Sequence, residues 1–210
     1  MRLAEGLLDQ QLPDKATIHF DHLLKVQAEN LAVRVGVARC LAALGKVDEA
    51  REWVEKVLEK DPKCVAALKE LGRLELANQE PTKAEKWLRK ALELAPADAE
   101  ANYQMVLYLN LLGKPKEAEK FQERFHQLDE EVARLDGLFK KIAKSPDDPA
   151  LYQEVGSILL QLGKDSDGVR SLQIALTIDP KHRATHAALA DYYEKKGDKD
   201  RAAEHRKQSK

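Results

Sequence analysis

The chain has 210 residues, and its 35 Lys and Arg side chains nearly balance its 36 Asp and Glu side chains, which gives a formal net charge of −1. This balance provides no electrostatic reason to expect a nucleic acid or an anionic membrane as a partner. No apolar run approaches the ~18 residues that a membrane-spanning helix needs. The two cysteines, Cys40 and Cys64, are far apart in sequence, which fits a reducing compartment and predicts a cytoplasmic location.

Segments of 34 residues recur along the chain and end in similar proline turns. Residues 31–64 end in LEKDPKC, residues 65–98 in LELAPAD and residues 149–182 in LTIDPKH. A fixed period in this range is typical of repeat proteins. The register predicts helix pairs, in chain order, over residues 1–30, 31–64, 65–98, 99–132, 149–182 and 183–210.

Glycines, prolines and small residues punctuate each repeat at fixed offsets. Glycine at the fifteenth position closes the first helix, and proline at the seventeenth begins the second helix. Small residues at the eighth position allow two helix backbones to approach closely. The glycines are Gly45, Gly113, Gly163 and Gly197, the prolines are Pro13, Pro81 and Pro115, and the small residues are Ala38, Gly72, Gly156 and Ala190.

This pattern resembles the tetratricopeptide repeat (TPR) family over nearly the whole chain. The resemblance implies an all-α fold, a right-handed superhelical solenoid of about six antiparallel helix pairs. It also implies a concave groove lined by the first helix of each pair. Because the family contains very many adaptors, we expect an interaction scaffold that binds a peptide or a partner helix in this groove.

The N-terminal repeat departs from the pattern because Met1 falls at its fifth position, so the first helix lacks its opening turn. This departure favours either a short first helix or a fragment of a longer protein. It motivates an alternative function, in which the chain is a docking or regulatory region of a larger multidomain, possibly enzymatic, protein.

A second departure follows Lys116, because Glu130 stands at the thirty-second position, where Pro62, Pro96 and Pro180 stand in other repeats. Apolar residues then recur every three or four positions from Leu128, through Val132 and Phe139, to Ile142. The sequence therefore predicts one extended helix near residues 115–144. The predicted organisation is an N-terminal stack over 1–132, a connector over 133–148 and a C-terminal pair of repeats over 149–210.

The sequence contains no GxxxxGK[ST], GxSxG or HExxH motif, so we predict no enzymatic activity and no cofactor. His182 and His186 are four residues apart, a spacing that can place two imidazoles on one helix face for a metal. No third ligand is obvious and His186 falls at a packing position, so no metal site is predicted.

The family pattern places groove side chains at set positions of the first helices, and it implies seven partner-binding candidates here. They are Arg39, Lys69, Arg73, Tyr103, Gln104, Leu107 and Asn110. The three cations suggest a protein or peptide ligand with an acidic side chain or a C-terminal carboxylate. The alternative is that these cations only keep the surface soluble.

Overall fold

The computed structural model describes residues 1–78 and 80–210, and this part of the chain contains twelve α-helices and no strand. The helices are α1 (Arg2–Asp9), α2 (Pro13–Val26), α3 (Leu31–Ala43), α4 (Val47–Lys60), α5 (Val65–Ala77), α6 (Pro81–Leu94), α7 (Ala99–Leu111), α8 (Pro115–Ile142), α9 (Pro149–Gln161), α10 (Asp165–Ile178), α11 (Arg183–Lys195) and α12 (Lys199–Gln208). They form six consecutive helix pairs. The predicted all-α fold of repeated helix pairs is therefore confirmed.

The helix ends lie where the sequence punctuation places them. Pro13, Pro81 and Pro115 each begin a helix. The first N–H groups of a helix have no intrahelical acceptor, so proline loses no hydrogen bond at this position. The side chains of Asn30 and Asp98 accept hydrogen bonds from the first turns of α3 and α7. These local signals account for the positions of the helix ends.

All four glycines at the fifteenth position adopt the left-handed backbone conformation, with φ between 68° and 80°. The corresponding residue of the third repeat, Gln79, lies outside the described residues. The corresponding residue of the first repeat is Gln11, which takes φ 58° without being glycine. The predicted helix-closing role of these glycines is confirmed, and Gln11 occupies the same conformation at a steric cost.

The described residues form two compact units, Met1–Glu123 and Arg124–Lys210. In the first unit, α1, α3, α5 and α7 lie side by side, and α2, α4 and α6 pack against them. Val54, Val57, Leu71 and Leu74 are among the buried residues of its central cluster. Trp53 also packs against this cluster.

Small residues allow the two helices of a pair to approach closely. A Cβ atom added to Gly72 would lie 2.6 Å from Leu88 Cδ2. A Cβ atom added to Gly156 would lie 2.7 Å from Leu172 Cγ and 2.9 Å from the carbonyl oxygen of Gly168. The prediction that the eighth position is a point of close helix contact is confirmed, because there is no room for a side chain.

The second unit contains the later part of α8 and helices α9 to α12. Leu135 and Leu138 of α8 are buried in one cluster with Val155 and Ile158 of α9. The helix continues through Gly137 to Ile142, which confirms the predicted extended helix. Because the boundary between the two units falls inside α8, the predicted division at residues 132 and 148 stays a prediction.

Within the described residues, none of the helices combines the length and the apolar character that crossing a bilayer requires.

Candidate partner-binding face

The first unit presents a surface formed by α1, α3, α5 and α7, here called the first-helix face. It contains a cavity of about 230 Å³, and residues from all four helices line this cavity. They are Met1, Glu5, Ala32, Val35, Gly36, Arg39, Ala66, Lys69, Glu70 and Glu100. Two predicted site residues, Arg39 and Lys69, therefore line one cavity together. The other five predicted residues lie on α5 and α7 and do not line it.

Lys69 is held by carboxylates of the neighbouring repeat. Its Nζ donates to Glu100 Oε2 at 2.6 Å and to Asp98 Oδ2 at 3.0 Å. Burial lowers the pKa of Lys69, but the hydrogen bonds and charges of Glu100 and Asp98 outweigh burial and raise the pKa overall. Lys69 is therefore a charged link between α5 and the start of α7, and its donors are already used.

Arg73 is paired within its own helix. Its Nε and Nη2 donate to the two carboxylate oxygens of Glu70 at 3.0 and 2.5 Å. Glu70 is buried, and the hydrogen bond to this carboxylate raises the pKa of Arg73. Arg73 thus compensates a buried charge, and its removal would leave Glu70 without a counter-charge.

Arg39 has the weakest pairing of the three cations. Its Nη2 lies 3.8 Å from Asp9 Oδ1, and 72% of the Asp9 side chain is exposed. Such a long surface pair contributes little energy. Of the three predicted cations, the structure therefore places only Arg39 and Lys69 in one cavity. Carboxylates lie close to all three cations, and the sequence analysis did not predict these carboxylates.

Gln104 is buried on α7, next to the cavity-lining carboxylate of Glu100. Its Nε2 lies 3.5 Å from Glu100 Oε1, at the limit of a hydrogen bond. Its Oε1 is buried and has no hydrogen-bond partner among the described residues. A buried acceptor without a donor costs free energy, so Gln104 is a locally unfavourable feature of α7.

The exposed side of α7 is apolar. Leu107 is 46% exposed, Leu111 is 63% exposed and Tyr103 is 47% exposed. These residues are four apart, so they form a single row along the helix, and the exposed Asn110 lies beside it. This row is called the α7 ridge below. It places three of the predicted site residues, Tyr103, Leu107 and Asn110, on one accessible surface.

The second unit has its own cavity between its first helices. It measures about 330 Å³, and α9 and α11 supply most of its lining, including Ser157, Gln161, Asp191 and Tyr192. Its lining mixes polar and aromatic side chains, like that of many ligand sites. The sequence interpretation missed Tyr192 because it assigned groove positions by offset alone.

Chemistry-bearing side chains elsewhere are engaged in packing. His186 Nδ1 lies 2.9 Å from His205 Nδ1, and His186 Nε2 lies 3.0 Å from the carbonyl oxygen of Pro180. Across the described residues, no group of three or more His, Cys, Asp or Glu side chains could hold a metal ion. Burial raises the pKa of the Cys40 thiol, which disfavours the nucleophilic thiolate.

Helix pairs that recur along the chain, four of them with a left-handed glycine between the two helices, and first helices that lie side by side define a helical-repeat scaffold. Two tetratricopeptide repeat family models match the sequence, one over residues 7–74 and the other over residues 54–99. Residues 7–99 are therefore similar in sequence to the tetratricopeptide repeat family.

A curated relative is also a tetratricopeptide repeat protein. Tetratricopeptide repeat protein 8 of Caenorhabditis elegans is 25% identical over 181 residues, which cover 85% of this chain and 33% of that protein. The chain thus spans about a third of the length of this curated relative.

Solved structures show the same fold. TTC0263, a thermophilic TPR protein of Thermus thermophilus, has a TM-score of 0.55 at 20% identity, with 89% of this chain and 93% of that chain covered. The pilF protein of Pseudomonas aeruginosa has a TM-score of 0.52 at 15% identity, with 97% and 86% covered. At these identities the likeness establishes the fold alone.

Proposed function

We propose that this chain is a protein-interaction scaffold that binds a segment of a partner protein on the first-helix face of its first unit, without catalysing a reaction. TPR proteins are generally scaffolds of this kind, which supports the coarse function. The observation that carries the choice of face is the α7 ridge, where Leu107 and Leu111 remain exposed at helical spacing.

The α7 ridge gives a partner an energetic reason to bind. Removing a whole leucine side chain from water contributes about 1.5–3 kcal/mol, so two half-exposed leucines offer a total of similar size. On α5, the positions equivalent to Tyr103, Leu107 and Leu111 carry the ion-paired Lys69 and Arg73 and the small Ala77. The α7 ridge therefore has no counterpart on α5, although other apolar side chains such as Leu3 and Ile18 are also exposed.

The finer expectation of an acidic or C-terminal carboxylate ligand has less support. Lys69 and Arg73 already donate to carboxylates of the same chain. A carboxylate ligand would have to compete with these partners, and of the three cations only Arg39 lacks a carboxylate within hydrogen-bonding distance. The apolar and acidic side chains next to these cations therefore determine which partner segment can bind to this face.

Partner capture with matched leucine variants tests the proposal. A Leu107→Ser, Leu111→Ser chain is compared with the wild type and with a Leu94→Ser control, because Leu94 is a similarly exposed leucine on α6. We expect the wild type and the control to retain the same partner from a lysate of the source organism. The double variant should lose this partner while its circular dichroism spectrum is unchanged. Equal retention by all three chains would rule out the α7 ridge as the binding surface.

The alternative is a docking role inside a larger chain. It is supported by the length of the curated relative, since the matched region covers only 33% of that protein. In that case the first-helix face binds another segment of the same polypeptide. Cross-linking of the purified longer protein would then join residues near Leu107 to that segment, and capture from lysate would yield no separate partner.

A further inference from the structure

We propose that the first-helix face selects an amphipathic helix that carries Lys or Arg near one end and leucine-type residues near the other. This inference rests on the proposed function and specifies the class of partner. It reverses the charge that the sequence suggested, because the structure shows which charged groups of the face are already satisfied and which remain open.

Carboxylates outnumber cations around the cavity of this face. Five acidic side chains and three basic side chains lie in the cavity or pair with its lining residues, which gives a net side-chain charge of −2. The acidic residues are Glu5, Asp9, Glu70, Asp98 and Glu100, and the basic residues are Arg39, Lys69 and Arg73. A ligand with positive charge therefore meets a favourable field in this region.

Around the cavity, more carboxylates than cations remain accessible without a close partner of opposite charge or with exposed oxygens. Lys69 and Arg73 are engaged by Glu100, Asp98 and Glu70 at distances of 2.5 to 3.1 Å. Glu5 lines the cavity and has no ion-pair partner among the described residues. Asp9 is 72% exposed and Glu100 is 47% exposed, so a ligand can reach both carboxylates.

The position of the α7 ridge determines the spacing within the ligand. Glu100 lies in the first turn of α7, and Leu111 is its last residue. Eleven residues of helix separate them by roughly 16 Å, or about three turns. A partner helix that lies along α7 can thus place a cation at Glu100 and Glu5 while its apolar residues cover Leu107 and Leu111, as ridges of neighbouring helices do.

Two synthetic helical peptides test this inference directly. They share leucine positions at one end and differ at the polar positions of the other end, which are lysine in one peptide and glutamate in the other. We expect fluorescence anisotropy to show that the lysine peptide binds about tenfold more tightly at low ionic strength. Added salt should reduce this difference, because screening weakens exposed charge pairs.

Protein variants assign the effect to particular residues. Glu5→Gln and Glu5→Lys should progressively reduce the preference for the lysine peptide. The control Glu59→Lys, on the exposed surface of α4, should leave the preference unchanged. Leu107→Ser with Leu111→Ser should weaken the binding of both peptides, and circular dichroism should show that every variant remains helical.

The outcomes separate this inference from the proposed function. If both peptides bind equally, or if the glutamate peptide binds better, and binding still depends on Leu107 and Leu111, the charge preference is wrong while the face remains a binding site. If neither peptide binds, or if binding ignores the leucine variants, both the inference and the choice of face are overturned.

Discussion

The histidine pair of the last repeat shows how one side-chain contact can make stability depend on pH. His186 Nδ1 and His205 Nδ1 are 2.9 Å apart, so one nitrogen must donate and the other must accept. Burial, and then the charge of His186, lower the pKa of His205. The Tyr193 ring stacks on His205 with centroids 5.7 Å apart, and the Arg201 guanidinium lies over Tyr193.

We expect the free energy of unfolding to fall as the pH is lowered from about 7.5 to about 5.5, through the ordinary histidine pKa of about 6.5. In this range the unfolded chain binds a proton at His205 more readily than the folded chain does, because the folded pKa is depressed. The stability contribution is thus complete above the unfolded pKa and is lost below it. One proton limits the slope to about 1.4 kcal/mol per pH unit.

Urea unfolding at several pH values measures this slope, with His205→Gln as the test variant. Glutamine retains a donor for His186 but does not titrate, so the slope should become shallower. His19→Gln is the matched control, since His19 is exposed on α2 and should leave the slope unchanged. An identical slope in the wild type and the His205 variant would show that this pair does not control the pH response.

The turn between α1 and α2 carries local strain that the turns at Gly45, Gly113, Gly163 and Gly197 avoid. Gln11 takes φ 58°, whereas Gly45 takes φ 79° at the same repeat position. A side chain in the left-handed region costs roughly 1–2 kcal/mol, and glycine removes that cost while adding chain entropy to the unfolded state. The first turn is therefore less stable than these four glycine turns for a reason confined to one residue.

Exchanging the two residue types tests this account. We expect Gln11→Gly to raise the free energy of unfolding by about 0.5–1 kcal/mol and Gly45→Gln to lower it by about 1 kcal/mol. Nothing lies within 4 Å of a Cβ atom at Gly45, so the loss there is conformational and not steric. Urea midpoints provide the measurement. Destabilisation by both substitutions would mean that Gln11 makes contacts that outweigh its backbone strain.

At the scale of elements, most of the fold could be predicted because its signals are local. Pro115 and Gly113 act within one turn of their own position, and the extended helix predicted near residues 115–144 is Pro115–Ile142 in the structure. The sequence did not predict which side of that helix is buried. Leu128 and Leu135 are buried, but Val132 and Phe139 of the same apolar stripe are each 53% exposed.

The candidate site was less predictable because its charges are paired across repeats. Lys69 meets Asp98 and Glu100, which are 29 and 31 residues further along the chain. The repeat register predicts that α5 and α7 are neighbours, but it does not determine which long side chains meet. The acidic residues at the start of the neighbouring helix were the sequence signal that could have predicted these ion pairs.

At the scale of the whole molecule, stability in a repeat protein is approximately a sum over units and their nearest neighbours. Helices in the middle of a unit are covered on more sides than helices at its edge. In the first unit, α5 contributes seven buried residues and α1 contributes only Ala4. In the second unit, α9 contributes four and α12 contributes only Ala202.

We expect this difference in coverage to appear as a gradient of amide hydrogen exchange. Amides of α1 should exchange at least about tenfold faster than those of α5, and amides of α12 similarly faster than those of α9, because edge helices open without unfolding their unit. Hydrogen exchange followed by mass spectrometry, under conditions in which helices reclose faster than their amides exchange, measures the α1 to α5 and the α12 to α9 rate ratios. The lysine peptide should slow exchange in α7 and leave α12 unchanged. If all helices of a unit exchanged at one rate, the prediction would be wrong. Each unit would then open cooperatively, and contacts other than the one buried residue would stabilise its edge helices.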